Sequence, residues 1–357
     1  MHVTSIPIAG IKFLSACVRF RANPITALKR FIKLCRDDLF SPDEIYFHRL
    51  LDPRIDNAVI RRMISKEKML EPQLRLNPAG FRHHVDDKIT FNGLCVRHGL
   101  PTPDIHAIFN RNSASKPNGT PSLRNLEDIE RYLRDTSNTP IILKPADGHD
   151  GVGVDRLEKR GETWFDMHGG RVTPSLIFSR VQSPDTSRWI FQQVVDNHPE
   201  IAELSGALGL QTMRIRTVVN DNGQPELLGA LLRLISGDNV YDNFRGGATG
   251  NMLAVLDVSD GRIVEVITSS KHHREINSIT HHPGTKKQLI GFKIPHWEDV
   301  RTLALKASLS FRPLRCIGWD IAITAAGPML IEGNLTWGIL NRERDIYEYL
   351  QSMSTDT

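Results

Sequence analysis

The sequence predicts an α+β fold, with a helical N-terminal region followed by antiparallel sheets and helices packed against them. Three observations carry this. Up to about residue 85, apolar residues recur at helical spacing. Beyond it, short apolar runs alternate with helical ones, and several of those runs come in pairs joined by tight-turn sequences.

The elements follow in order. An apolar segment around Ile11, Phe13, Leu14, Cys17 and Val18 is separated by Pro24 from a second run, Ile25, Leu28, Phe31, Ile32 and Cys35. Lys29, Arg30, Lys33 and Arg36 fall on other faces of that second helix. A basic amphipathic helix suits an anionic membrane surface or a partner. Packing of its apolar stripe on the rest of the chain is the more ordinary arrangement and is expected here, with peripheral membrane contact left open. Ser41-Pro42-Asp43-Glu44 reads as a helix start, with Ser41 as N-cap. Val85-Asp86-Asp87-Lys88 leads into a helix ending near His98-Gly99, and Pro101 and Pro103 stop it. Ile141 to Lys144 is a short strand. Hairpins are expected around Asp221-Asn222-Gly223, Ser259-Asp260-Gly261 and Ala325-Ala326-Gly327-Pro328. Asn110 to Ser122 is the best candidate for a mobile loop.

A chain of 357 residues can bury a sizeable core. Its 40% apolar and 24% charged residues are those of an ordinary globular protein. The net charge of +4 suits handling of anions but does not point to nucleic acid, since no basic run is interleaved with aromatics. The four cysteines, Cys17, Cys35, Cys95 and Cys316, are scattered and form no CxxC pair, as expected of free thiols in a reducing compartment. No apolar run reaches the roughly 18 to 20 residues that span a bilayer. Lys12, Arg19 and Arg21 interrupt the N-terminal apolar stretches, unlike a cleavable signal. A cytoplasmic location is expected.

The chemistry is sharpest near the C-terminal end. Trp319 to Thr324 and Met329 to Asn334 read as two strands of one hairpin. If it centres on residue 326, Asp320 faces Glu332, and Asn334 shares the Glu332 face. Two opposed carboxylates repel, and burying them among Ile321, Ile323, Leu330 and Ile331 is expensive without a cation. Oxygen ligands of this kind suit Mg²⁺ carrying nucleotide phosphates.

Further upstream, Lys144 at a strand end precedes a turn with Gly148, Gly151 and Gly153, whose backbone can close over phosphates. It is neither a P-loop nor a Rossmann fingerprint. Gln192-Gln193 interrupts the apolar run Trp189-Ile190-Phe191 before Val194-Val195, and such a strand can read an adenine edge. His198 and Glu200 follow within reach of a ribose. Taken separately, the glycine loop and the strand are weak signals. A zinc site from His272, His273, His281 and His282 is not expected, because neighbouring loop histidines lack a ligand geometry.

In this order, lysine, glycine loop, polar strand and Asp…Glu-x-Asn, the chain resembles the ATP-grasp superfamily. Asp87-Lys88 and Gly99-Leu100-Pro101-Thr102-Pro103 extend the likeness. Thr212-x-Arg214, Arg233-Leu234, Asp242-Asn243-Phe244-x-Gly246-Gly247 and Gly318 to Asn334 are similar to the sugar-transfer-associated branch, found with polysaccharide biosynthesis. The resemblance covers roughly residues 40 to 340.

It implies two α+β subdomains clasping ATP: residues 86–350, divided into a lid and glycine-loop part (86–195) and a metal and substrate part (196–350), after a helical region at 1–85. It further implies that Lys88 and Lys144 hold phosphates and that Gly148, Gly151 and Gly153 form a lid. Gln193 and Val195 would face adenine, Glu200 the ribose, and Asp320, Glu332 and Asn334 would bind Mg²⁺. Many relatives place an arginine two residues before the metal aspartate, where this chain has Gly318; Arg214, Arg233 or Arg315 can supply that charge, and spacing does not choose among them. Lys144, Arg214 and Arg233 are the catalytic candidates.

The implied reaction is ATP- and Mg²⁺-dependent joining of a small-molecule carboxylate to an amine through an acyl phosphate, with sugar-linked substrates expected. The alternatives are a kinase acting on a sugar or polyol hydroxyl and a non-catalytic nucleotide-binding protein. Asp242 to Gly247, with Arg245, and the basic cluster Lys271, His272, His273 and Arg274 are candidates for the acceptor side.

Overall fold

The computed structural model describes residues 6–111, 119–137, 139–148, 152–182, 186–237, 239–269, 275–338, 340 and 343–354, with side chains from residue 10 onward. The expectations on Gly151 and on Lys271 to Arg274 lie outside these residues, as does much of the Asn110 to Ser122 loop.

Seven α-helices precede the first strand among the described residues; the first six are α1 (Ile6–Phe20), α2 (Pro24–Arg36), α3 (Pro42–Phe47), α4 (Asn57–Arg61), α5 (Lys66–Arg75) and α6 (His83–Asp86). Side-chain caps explain several of the starts. Asn23 accepts from Ile25 N and Thr26 N ahead of Pro24. Ser41 and Glu44 close a reciprocal capping box at α3. The helices bury Ala16, Phe20, Leu34, Phe40, Ile45, Leu50 and Leu51 in one cluster.

The packing of α2 differs from the expectation. It buries Ala27 and Leu34 and half-buries Phe31 and Cys35, while Ile25, Leu28 and Ile32 stay exposed. The stripe read from the sequence is wider than the face the neighbouring elements cover.

The remaining chain builds two sheets. The first runs in the order β2 (Ser122–Leu123), β1 (Ile105–Asn110), β7 (Arg188–Gln193), β3 (Ile141–Pro145), β4 (Asp155–Arg160), β5 (Thr163–Phe165), β6 (Arg171–Val172). All its pairings are antiparallel except β1 with β2, which is parallel. Helices α8 (Leu126–Asp135) and α9 (Pro174–Val181) bury Ile129, Leu133, Ile177 and Val181 in the core of this sheet. Ahead of it, α7 (Lys88–Arg97) starts on Asp87, whose side chain accepts from Thr90 N, and ends before Gly99 in the left-handed region.

The second sheet runs β12 (Ile276–Ser278), β11 (Ile263–Ser269), β10 (Met252–Leu256), β9 (Pro225–Leu234), β8 (Thr212–Val219), β13 (Cys316–Thr324), β14 (Gly327–Asn334), all antiparallel. Helix α10 (Pro199–Ser205) leads into it. Helix α11 (Trp297–Ser310) covers it with Trp297, Val300, Leu303, Ala304 and Ala307, a helical stripe facing the sheet core. Helix α12 (Arg344–Ser352) packs on α5. The four cysteines are free thiols. Among the described residues, no helix is long and apolar enough to cross a membrane.

Candidate active site

A cleft of about 1150 Å³ is lined by residues of both sheets and of α7. Its sharpest feature sits on the β13–β14 hairpin. The strands pair Thr324 with Gly327 and Ile321 with Leu330, a register that by itself would set Asp320 against Ile331. An irregularity at this point gives β14 one extra residue, so Asp320 faces Glu332 instead. The symmetric hairpin read from the sequence names the right pair, but the bulge is what opposes them. Asn334 donates to Glu332 Oε1 at 3.5 Å and to the Gly318 carbonyl at 3.4 Å.

Asp320 is almost fully buried and holds two guanidiniums. Arg214, its cross-strand partner on β8, donates through Nε to Oδ1 and through Nη2 to Oδ2 at 3.2 Å. Arg233 on β9 donates through Nη2 to Oδ2 at 2.6 Å. Burial pushes the Asp320 carboxyl up, but the two arginines outweigh it and hold it well below the usual carboxylate range.

Arg233 also pairs with Asp242 at 3.2 Å, and Asp242 accepts from Thr212 N at 2.8 Å and Thr212 Oγ1 at 2.7 Å. Burial would lower the Arg233 pKa, but Asp242, Asp320 and Glu332 raise it. Burial raises the Asp242 carboxyl against the pull of Arg233. The result is an alternating chain, Asp242, Arg233, Asp320, Arg214, linked by charge-assisted bonds.

Of the three arginines named for the charge missing at position 318, Arg214 and Arg233 reach Asp320. A Cβ on Gly318 would lie 2.9 Å from Arg214 Cδ, so the absent side chain is the space that Arg214 occupies. Arg315 is engaged elsewhere, with the Val219 carbonyl, the Ser354 carbonyl and Asp221.

Glu332 lacks such partners. Burial and the neighbouring Asp320 raise its carboxyl, with Lys88 and Arg233 opposing. Lys144, 9% exposed, falls to about 8 through burial and the nearby Lys88 ammonium, against the pull of Glu332. Burial also lowers Lys88, which begins α7 and donates its ammonium to the Gly148 carbonyl. Lys144 from β3 of the first sheet and Lys88 from α7 therefore face a carboxyl pair from the second sheet.

The glycine loop follows β3. Gly153 has φ +78, and a Cβ there or on Gly148 would come within 3.0 Å of the Pro145 ring. Gly148 lines the cleft, whereas Gly153 packs against Pro145 and Trp189 without lining it. Gln193 and Val195 line the cleft. The Gln193 backbone N–H donates to Asp104 O at 2.9 Å and its side chain accepts from Asp104 N at 3.2 Å. Glu200, in the first turn of α10, is exposed and is not among the lining residues. His198 accepts from Glu200 N at 3.2 Å.

His282 is buried and uses both ring nitrogens, one with the Ile235 carbonyl and one with Gly284 N and Thr285 N, so it has no site to offer a metal. Among the described residues, no cluster of three or more His, Cys, Asp and Glu side chains is placed to hold a cation. The carboxyl pair with Asn334 stands outside that description because its third oxygen is an amide.

Sequence reasoning missed a second cavity of about 860 Å³, which shares Lys66, Arg214, Arg233, Asn243 and Gly338 with the cleft. Lys12, Arg19, Tyr46, Phe47 and His48 from the N-terminal helices line it, with Phe244 and Arg245 from the other side. The Asp242 to Gly247 turn was the legible half. No local pattern marks the helical half, because those residues meet the site only through tertiary packing.

A model of the family described as sugar-transfer associated ATP-grasp matches residues 68–343. No curated protein matches the chain. Solved structures similar to it include L-amino acid ligase from Bacillus licheniformis, at 13% identity and TM-score 0.41, covering 75% of this chain and 48% of that one. Biotin carboxylase from Campylobacter jejuni stands at 11%, TM-score 0.46, with coverage of 79% and 49%. D-alanyl-alanine synthetase A from Vibrio cholerae stands at 11%, TM-score 0.42, with 76% and 62%. The chain thus spans about half to three-fifths of these solved chains. With the family match running over most of its length, from α5 to the residues just before α12, the chain belongs to the sugar-transfer associated ATP-grasp family.

Proposed function

We propose that the protein is an ATP- and magnesium-dependent ligase joining a carboxylate to an amine, in polysaccharide or sugar-conjugate biosynthesis. One observation carries this reading: Lys88 and Lys144 face Glu332, Asp320 and their two arginines inside one large cleft. We take residues 1–85, 86–195 and 196–350 as its helical, lid and metal-binding units.

The donor set fits magnesium. Its oxygens come from two carboxyls and an amide, and a cation would relieve the burial and repulsion that raise Glu332. Two guanidiniums already take three of the roughly four acceptor positions of Asp320. Glu332 and Asn334 would therefore give most of the protein oxygens, with Asp320 anchoring the arginines. When bound, magnesium neutralises charge on the transferring phosphate.

The chain's own groups do the rest. Lys88 and Lys144 hold phosphate oxygens, and Gln193 with Val195 borders the base. A substrate carboxylate oxygen attacks the terminal phosphorus, breaking its bond to ADP. Arg214 and Arg233 attract the anionic carboxylate and the acyl phosphate formed. The glycine loop excludes water from that intermediate. An amine then attacks the acyl carbon, inorganic phosphate leaves with the electron pair, and the amine proton passes to solvent.

The second cavity is the acceptor's place in this reading. Lys66 lines both cavities, and among the described residues its ammonium makes no hydrogen bond or ion pair. Lys66→Ala is expected to raise the acceptor KM about tenfold with little change in kcat, the loss of a charge-assisted contact. A matching fall in kcat would remove Lys66 from substrate binding.

Phosphorus NMR tests the reaction, using purified protein, Mg-ATP, pooled amino acids and candidate sugar acids. Phosphate appearing in step with ADP, only when carboxylate and amine are both present, is expected. A new phosphomonoester signal would make the protein a kinase, and no turnover in any pool would leave nucleotide binding alone.

A further inference from the structure

We infer that helices α1 and α2 form a docking surface for an anionic lipid bilayer. The first observation is apolar exposure. Ile11, Leu14 and Val18 on α1 are 68%, 57% and 80% exposed; Ile25, Leu28 and Ile32 on α2 are 68%, 48% and 50% exposed. Both triplets have i, i+3, i+7 spacing, so each lies along one helix face. Seven of the fifteen exposed large apolar side chains among the described residues fall within residues 11–39. Scattered single exposures need no explanation, but a concentration of this kind does.

Folding does not account for it. The opposite faces already pack inward through Ala16, Phe20 and Leu34, with Phe13 and Phe31 meeting edge to face at 6.0 Å. Polar residues at the six outward positions would leave that cluster intact.

Charge selects the occupant. Residues 1–36 contain seven of the chain's 45 Lys and Arg and none of its 41 Asp and Glu, so +7 sits here and the rest of the chain carries −3. Lys29, Lys33 and Arg36 are exposed on the same helix as the second apolar triplet. An amphipathic helix with aliphatic residues on one face and basic residues beside them lies in the plane of an anionic interface, without spanning it. Lys12, Arg19 and Arg36 pair with Asp43, Glu275 and Asp37. Lys29 and Lys33, exposed beside the second apolar triplet, make no ion pair among the described residues, and that favours a surface of repeated negative charge over a protein partner. The adjoining face of α1 carries Lys12, Ser15 and Arg19 into the second cavity. The inference stands whatever reaction that cavity serves.

The test is flotation of the full chain with phosphatidylglycerol vesicles and with phosphatidylcholine vesicles, at low and high salt. Binding to the anionic vesicles alone, weakened by salt, is expected. Val18→Ser with Ile32→Ser, and separately Lys29→Glu with Lys33→Glu, are each expected to weaken it more than about tenfold. Unchanged thermal midpoints would show that both variants fold. Failure of the unaltered chain to float with anionic vesicles would overturn the inference, and so would undiminished binding by either variant. Self-association that only the Val18→Ser, Ile32→Ser variant abolishes would assign the face to a second copy instead.

Discussion

Asp320→Asn is expected to cost turnover and about 3–5 kcal/mol of stability, the scale of a broken buried ion pair. Glu332→Gln is expected to cost turnover alone. The two carboxyls face each other across β13 and β14, yet their surroundings differ in sign. Asp320 holds Arg214 and Arg233, and its folded pKa is depressed, so its ionised form adds stability above the unfolded pKa. Removing that charge leaves two buried guanidiniums, of which Arg233 alone keeps an ion pair, with Asp242.

The Glu332 carboxyl is raised by burial and by Asp320, so above its unfolded pKa its ionised form costs stability. A glutamine removes that cost and can donate to Asp320. Turnover with Mg-ATP should fall by roughly 10² to 10³ in both variants, the scale of losing one preorganised polar group at the reacting centre. Thermal denaturation separates them. Equal destabilisation would refute the assigned electrostatics, and unchanged magnesium-dependent turnover in Glu332→Gln would remove the residue from the metal site.

Lys144→Met is expected to stabilise the nucleotide-free protein at neutral pH while abolishing turnover. The folded state lowers this ammonium from its ordinary 10.5 to about 8, chiefly by burial. The unfolded chain binds the proton more readily, so the charged lysine costs stability at every pH below about 8. The cost disappears as pH rises from about 8 to about 10.5. At about 1.4 kcal/mol per pH unit, the penalty is about 3 kcal/mol.

Methionine has a similar length and no charge to desolvate, so Lys144→Met should show a higher midpoint at pH 7. Its advantage should shrink as pH approaches 10. Activity should fall by roughly 10³, because the cation proposed to hold phosphate is lost from a low-dielectric cleft. A destabilised variant at pH 7 would mean that the ammonium is already compensated in the folded protein. Stability given up at a binding lysine is a cost many functional sites carry.

Much of this site lies in the linear order. Asp320, Glu332 and Asn334 belong to one hairpin, and period-two alternation with one tight turn brings such residues together before tertiary packing acts. Lys144 and Gly148 are likewise local to one strand and its turn. The bulge at Ile331 was not legible, because the sequence permits a register one residue away and only the packed sheet decides between them. Arg214, which fills the space beside Gly318 and bonds Asp320, comes from β8, more than a hundred residues earlier, where spacing carries no information.

The sequence by itself therefore determined the fold class, the helical start, the hairpins and the pairing of Asp320 with Glu332, because these follow from local periodicity and turn chemistry. Tertiary structure alone decided that Arg214 and Arg233 hold Asp320, that Glu200 stands outside the cleft wall and that the N-terminal helices line a second cavity. It also decided which face of α2 was left outward. Each of these depends on which surfaces the folded chain brings together, and desolvation and charge pairing across distant segments leave no periodic mark in the chain.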